Sequence, residues 1–149
     1  GLTHDERGYP VLSTECQEVC VTRLLNKVSQ SVDDIVQFEE DGLDDAEVVV
    51  LSFGITARVA RMATQIARRQ GLRVGFLRLV VLWPFPEKEI RALAGKVRGF
   101  VVPEINLGQM VLEVERCAGG KARTISVPHP GGGVHDPRSI VDAISEIVK

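Results

Sequence analysis

Four short apolar runs constrain the fold more than any other feature of the chain: Val48 to Phe53, Val74 to Leu82, Gly99 to Val102 and Ala122 to Val127. Each is too short for a helix and most are rich in β-branched residues, so each reads as a buried strand. Between them lie segments with helical spacing. In the first, Val59, Met62, Ala63, Ile66 and Ala67 form one face, Arg58, Arg61, Gln65, Arg68 and Arg69 form the other, and Gly71 marks the stop. The second opens at "PFPEKEI", where Pro86 suits a first helical position and Glu87 and Glu89 suit the positive end of the helix dipole. A third runs from Gly108 to Ala118 with Met110, Val111, Val114 and Cys117 on one side. After the fourth strand, Asp136 followed by Pro137 starts a last helix that carries Ile140, Val141, Ile144, Ile147 and Val148. Strands alternating with helices pair in parallel through right-handed crossovers. The expected fold is therefore α/β: a three-layer α/β/α sandwich with a mostly parallel sheet, the four strong strands ordered 2-1-3-4 and a short extra strand at one edge.

The first part of the chain has a different pattern. Glu15 to about Gln30 places Val19, Cys20, Leu24, Leu25 and Val28 at helical spacing, outside the alternating core. "DIVQFEE" reads as a short edge strand, and "EEDGLDDAE" as a solvated acidic connection. Residues 1–46 are thus expected to form an N-terminal linker, helix and edge segment, and residues 47–149 the α/β/α domain. The chain opens on "GLTHDERGYP", without Met and as though within a loop. Gly1 is accordingly expected to follow an upstream domain or an expression scar, which would make the chain a fragment of a longer subunit.

Composition removes several classes of function. With 44% apolar and 26% charged residues, the 149-residue chain is an ordinary globular protein, and no apolar run approaches a membrane span. A net charge of -2 with one Trp and one Tyr offers little to nucleic acid, by attraction or by base stacking. The polar start is no signal peptide, and three cysteines, an odd count, point to a reducing, cytoplasmic setting. Cys16, Cys20 and Cys117 are too few for an iron–sulfur or structural zinc site and read as packing residues, so no metal site is expected. His129 and His135 flank "PGGGV" at a spacing that matches no metal motif, and as loop residues they are expected to be exposed.

Three places could carry chemistry or contacts. In "LSFGITAR", Gly54 and Thr56 end the first strong strand where parallel sheets bind ligands; the glycine permits close approach, and Thr56 could cap the helix and leave amides facing an anion. The stretch lacks the further glycines of a dinucleotide fingerprint and the Gly-Lys-Ser/Thr of a phosphate loop, which favours a plain turn. In "VVPEINLGQM", Glu104, Asn106 and Gln109 either converge on the same crevice as binding groups, or serve locally, with Asn106 capping the helix and Glu104 paired to an arginine. In "VLWPFP", Trp83 and Phe85 form a rigid apolar turn suited to core or domain contact. No nucleophilic or acid–base constellation is present, so no catalytic residue is assigned.

Read in order, "GLTHDERGYP", "VVVLSFGITARVARMA", "LRLVVLWPFPEKEI" and "VVPEINLGQM" resemble the C-terminal part of the alpha subunit of 2-oxoacid:ferredoxin oxidoreductases, the 2-oxoglutarate type above others. The resemblance spans nearly the whole chain, and its strand-turn-helix pattern is similar, more distantly, to the transketolase C-terminal domain. It implies a structural and subunit-interface domain, inactive alone, within a complex that oxidatively decarboxylates a 2-oxoacid to acyl-CoA and reduces ferredoxin. The cofactors implied for that complex are thiamine diphosphate, Mg, an iron–sulfur cluster and coenzyme A, with none bound by this domain. The implied partners are the thiamine-binding domain of the same subunit, a beta subunit, gamma and delta subunits as further candidates, and ferredoxin through the complex. His4, Asp5 and Glu6 match a family motif near the domain junction and are assigned to an interdomain contact. "PHPGGGVHDPRSI" carries more glycine than the family's Gly-Arg-Pro-Phe segment. Two rivals remain: a free-standing module in which Gly54, Glu104 and Asn106 hold a small anion or nucleotide, and an interaction domain built around Trp83 and Phe85.

Overall fold

The computed structural model describes residues 3–149, which form two compact units divided between Val36 and Gln37. In the N-terminal unit, helices α1 (Thr14–Ser29) and α2 (Val32–Ile35) follow a turn closed by an antiparallel bridge between His4 and Pro10. Ser13 caps α1 by accepting a hydrogen bond from the Cys16 amide, and Glu15 sits in its first turn. No side chain of α1 is buried.

The second unit is built on a five-stranded sheet. Its elements are β1 (Phe38–Asp41), β2 (Val48–Phe53), α3 (Thr56–Arg69), β3 (Val74–Leu79), α4 (Glu87–Ala94), β4 (Gly99–Glu104), α5 (Met110–Ala118), β5 (Arg123–Pro128) and α6 (Pro137–Val148). The strand order is β1-β3-β2-β4-β5. The four strong strands therefore stand in the expected 2-1-3-4 order, all parallel, and β1 pairs antiparallel with β3 at the edge. Because Phe38 to Asp41 lie opposite Leu79 to Phe76, the compact unit starts at residue 37 and not at the expected residue 47.

The layers follow from crossover handedness. The step from β2 to β3 goes one way along the sheet, and the steps from β3 to β4 and β4 to β5 go the other. Right-handed crossovers then put α3 on one face and α4 and α5 on the opposite one. Val48, Val50, Val74, Phe76 and Val101 pack with α3 and α6. Val49, Leu51, Leu77, Leu79, Phe100 and Val102 pack with α4 and α5. Alternate residues of β2, β3 and β4 thus feed different cores, which is why these runs are largely apolar. Asp136 caps α6 as expected, accepting from the Arg138 amide, with Pro137 at the first helical turn.

The start of α5 is unusual. Glu104, the last residue of β4, has no exposed surface, and its carboxylate accepts hydrogen bonds from the amides of Gln109, Met110 and Val111 and from the Asn106 side chain, at 2.9 to 3.2 Å. A negative group against otherwise unpaired amides at the positive end of a helix is both a cap and a charge-assisted hydrogen-bond acceptor. Pro103, one residue earlier, has no amide hydrogen; the β2–β4 ladder stops at the Val50–Val101 pair while β4–β5 runs on to Glu104.

Two outcomes follow from these contacts. Glu104→Ala strands the amides at the start of α5 and is expected to lower unfolding free energy by about 3 kcal/mol in urea titration; a change within about 0.5 kcal/mol, as for an ordinary surface substitution, would contradict the capping role. Across the α4–α5 face, Arg116 and then Arg91 hydrogen-bond the Glu87 carboxylate and hold its pKa below the ordinary value. A depressed carboxyl contributes stability above its unfolded pKa and loses it as pH falls through the native one. Glu87→Gln should therefore melt lower than the parent at pH 7, and the gap should close below about pH 4, the usual carboxylate range.

Candidate functional site

At the carboxyl ends of the parallel strands, the turn after β2 brings Gly54 to φ 55°, a left-handed conformation that favours glycine. A Cβ there would meet nothing within 4 Å, so the backbone angle requires the glycine, while close approach of a neighbour does not. Thr56 does not cap α3. The N-cap position is Ile55, no side chain caps the helix, and Thr56 lies buried inside the first turn.

Glu104, Asn106 and Gln109 are brought together, and the local arrangement differs from the one the sequence suggested. Asn106 donates to Glu104 at 3.1 Å and accepts from the Gly108 amide at 2.7 Å, closing the loop; it does not cap α5. Among the described residues no arginine pairs with Glu104, whose oxygens are taken by the helix start and Asn106. Gln109 contributes its backbone amide, and its side chain belongs to an exposed residue. Glu104 thus caps α5, and Asn106 braces its carboxylate.

Trp83 and Phe85 part company across Pro84. Phe85 is 7% exposed and joins the α4–α5 core, whereas Trp83 is 69% exposed. In the N-terminal unit, Asp5 organises its own turn: its carboxylate accepts from the amides of Tyr9 and Arg7 and pairs with the Arg7 guanidinium at 3.1 Å. The Tyr9 amide bond above all, with help from Arg7, keeps the Asp5 carboxyl below its ordinary pKa. His4 donates from Nδ1 to the Asp5 carbonyl, and Glu6 is exposed. These three residues, with Glu15, Cys16, Val19, Cys20 and Arg23, border an open groove of about 660 Å³.

Cys117 is buried as expected, while Cys16 and Cys20 are half-exposed. His135 is buried, contrary to expectation: its Nε2 donates to the Val127 carbonyl at 2.7 Å and its ring lies 5.1 Å from that of His129. Among the described residues no group of three or more His, Cys, Asp or Glu side chains is placed to hold a metal ion, and no helix is long and apolar enough to cross a membrane.

One feature was missed. Gly54, Ala57, Arg58, Arg61 and Arg78 line a cleft of about 350 Å³ beside the first turn of α3. Arg58 and Arg61 were legible as the polar face of that helix. The remaining signal was Arg78, the lone charge in an otherwise apolar strand, "VGFLRL".

Comparison with known proteins fits this architecture. Residues 46–140 match the model of the pyruvate:ferredoxin oxidoreductase core domain II. The 2-oxoglutarate synthase subunit KorA of Methanothermobacter marburgensis is 43% identical over 145 residues, 97% of this chain but 39% of that protein. The chain thus spans well under half the length of this relative. Among solved structures, the 2-oxoglutarate:ferredoxin oxidoreductase from Magnetococcus marinus, with 2-oxoglutarate, coenzyme A and succinyl-CoA bound, superposes with a TM-score of 0.83 at 27% identity, over 99% of this chain and 26% of that one. A split-gene transketolase shares the fold at a TM-score of 0.60 and 15% identity, over 74% of this chain and 41% of that one. The matched residues take in the sheet from β2 to β5 with the helices between its strands, and the chain belongs to the pyruvate:ferredoxin oxidoreductase core domain II family.

Proposed function

We propose that this chain is the C-terminal structural and subunit-interface domain of the alpha subunit of a 2-oxoacid:ferredoxin oxidoreductase of the 2-oxoglutarate type. The complex would convert a 2-oxoacid and coenzyme A to acyl-CoA and carbon dioxide, passing the electrons to ferredoxin in the cytoplasm. The observation that carries this reading is the contrast between crevice and surface. Where parallel sheets commonly bind ligands, this one has a carboxylate locked into a helix cap, while Trp83 and the apolar side chains Val19, Leu24 and Leu25 of α1 stand exposed in their respective units. Exposed aromatic and aliphatic side chains of this kind anchor protein contacts.

In this reading the thiamine diphosphate with its Mg ion and the iron–sulfur cluster belong to the thiamine-binding domain and the beta subunit, and cofactors of this kind supply the carbanion and electron-transfer chemistry. This domain binds none of them and braces the polypeptides that do. Gamma and delta subunits are further partners where the complex has them. His4, Asp5 and Glu6 would contribute to the junction with the preceding domain, Asp5 by fixing the turn. The relatives named for 2-oxoglutarate support the choice of substrate. The reading of the chain as a free-standing anion module built on Gly54, Glu104 and Asn106 is set aside, since two of those three residues are engaged in the cap of α5.

Supplied with 2-oxoglutarate, coenzyme A, thiamine diphosphate and Mg, the 149-residue chain should reduce no viologen dye above the enzyme-free rate; turnover would overturn the proposal. In the full-length alpha subunit, Trp83→Ala should lower recovery of the complex on co-purification with the beta subunit while leaving the far-ultraviolet circular dichroism unchanged. Equal recovery would remove Trp83 from the interface.

A further inference from the structure

The geometry points to an anion-binding cleft on this domain, between α3 and the carboxyl end of β3, that takes a phosphate group. Arg58 and Arg61 project from α3 and Arg78 from β3, and all three line the cleft with Gly54 and Ala57. A volume of about 350 Å³ suits a phosphate with a small attached group, at the low end of ligand pockets.

Charge accounting leaves a positive excess. Glu39 on β1 bridges two of the guanidinium groups, with Oε1 2.8 Å from Arg78 and Oε2 3.1 Å from Arg61, and Asp41 lies 3.8 Å from Arg61. Three cations thus face two carboxylates, and none of the ion pairs among the described residues includes Arg58. Arg58 also sits in the first turn of α3, where its charge adds to the positive end of the helix dipole and where the helix has neither an acidic residue nor a side-chain cap.

Two unsatisfied groups lie together at this corner. The Nε of Arg78 is buried without a partner, and so is the hydroxyl of Ser52, a residue with no exposed surface. Ser52 pairs in register with Arg78, so the two occupy neighbouring positions on the α3 face of the sheet. Buried polar groups in folded proteins are nearly always hydrogen-bonded, so this corner is short of acceptors, although Ser52 itself lies beneath the cleft and not in its lining. Arg61 is held in place by its contact with the Phe76 ring, 4.8 Å from the centroid. A tetrahedral dianion matches the demand better than a second carboxylate, because its oxygens can accept in three directions while Glu39 keeps its two bonds. The phosphate can be free or borne on a larger molecule. The cleft does not depend on the assignment to a 2-oxoacid complex and would operate in any protein that carries this domain.

The test is titration of the 149-residue chain, followed by amide chemical shifts at constant ionic strength, with inorganic phosphate, with AMP, and with adenosine as the uncharged control. Inorganic phosphate should give saturable shifts confined to residues around Gly54 to Arg61 and Arg78. Arg58→Gln removes an exposed side chain without an ion pair and should leave the spectrum folded while weakening phosphate about tenfold, the loss expected for one charge-assisted contact. Tighter binding of AMP than of phosphate, with adenosine silent, identifies a phosphoester as the occupant; equal or weaker binding of AMP identifies free phosphate. Shifts that do not saturate, shifts lying elsewhere, or equal affinity in Arg58→Gln would each overturn the inference. Arg78→Gln provides an independent check, and an undiminished affinity in that variant counts against it as well.

Discussion

Much of this domain's functional character turns on one carboxylate. Glu104 ends the interior strand β4, lies wholly inside the protein, and satisfies the amides at the start of α5. An uncompensated buried charge would be costly, so the loop from residue 104 to residue 109 has to present its amides in this arrangement for the fold to tolerate the group at all. Asn106 completes the enclosure by bonding both Glu104 and the Gly108 amide. At the end of β4, beside the strand-order reversal, the helix amides are consequently taken by the protein's own carboxylate. The features left for interaction lie elsewhere: an exposed indole, a helix with no buried side chain, and an arginine-lined cleft one strand away.

The architecture was legible because burial on both faces writes itself into the sequence as unbroken apolar runs. β2, with Val48 to Leu51 all without exposed surface, is the clearest case. β1 is the short edge strand expected within "DIVQFEE", although "FEED" has one apolar residue and its strand state comes from pairing with β3. The site was less legible. Asn is a common helix cap, and the Asn106 assignment followed that preference; Glu104 won because a strand end placed its carboxylate beneath three amides, a matter of tertiary placement. Thr56 failed as a cap for a similar reason, the turn at Gly54 having set the helix start one residue earlier, at Ile55. Trp83 and Phe85 were taken as a unit, yet one is exposed and the other joins the core.

Arginine does most of the surface organisation. Arg68 reaches from α3 to the carbonyls of Gly42 and Val74 and to Asp45, pinning the acidic loop that the sequence suggested was merely solvated. Arg116 joins α5 to α4 through Glu87, and Arg123 of β5 pairs with Glu146 of α6. Exposed ion pairs of this kind contribute little stability individually. Their effect is positional, since they fix loops and helix faces that the apolar cores leave free. Among the described residues Arg58, like Arg23, Arg69 and Arg138, takes part in no such pair.

The short ladder between β2 and β4 carries a mechanical implication. Three residue pairs join these strands, against six between β2 and β3 and six between β4 and β5. With Pro103 unable to donate, the sheet is two stiff leaves, β1–β3–β2 and β4–β5, stitched along a narrow seam and clamped by helices on either side. Shear applied across the domain would concentrate there, and a neighbour that wedged against the carboxyl ends of the strands would find this line the easiest to pry apart.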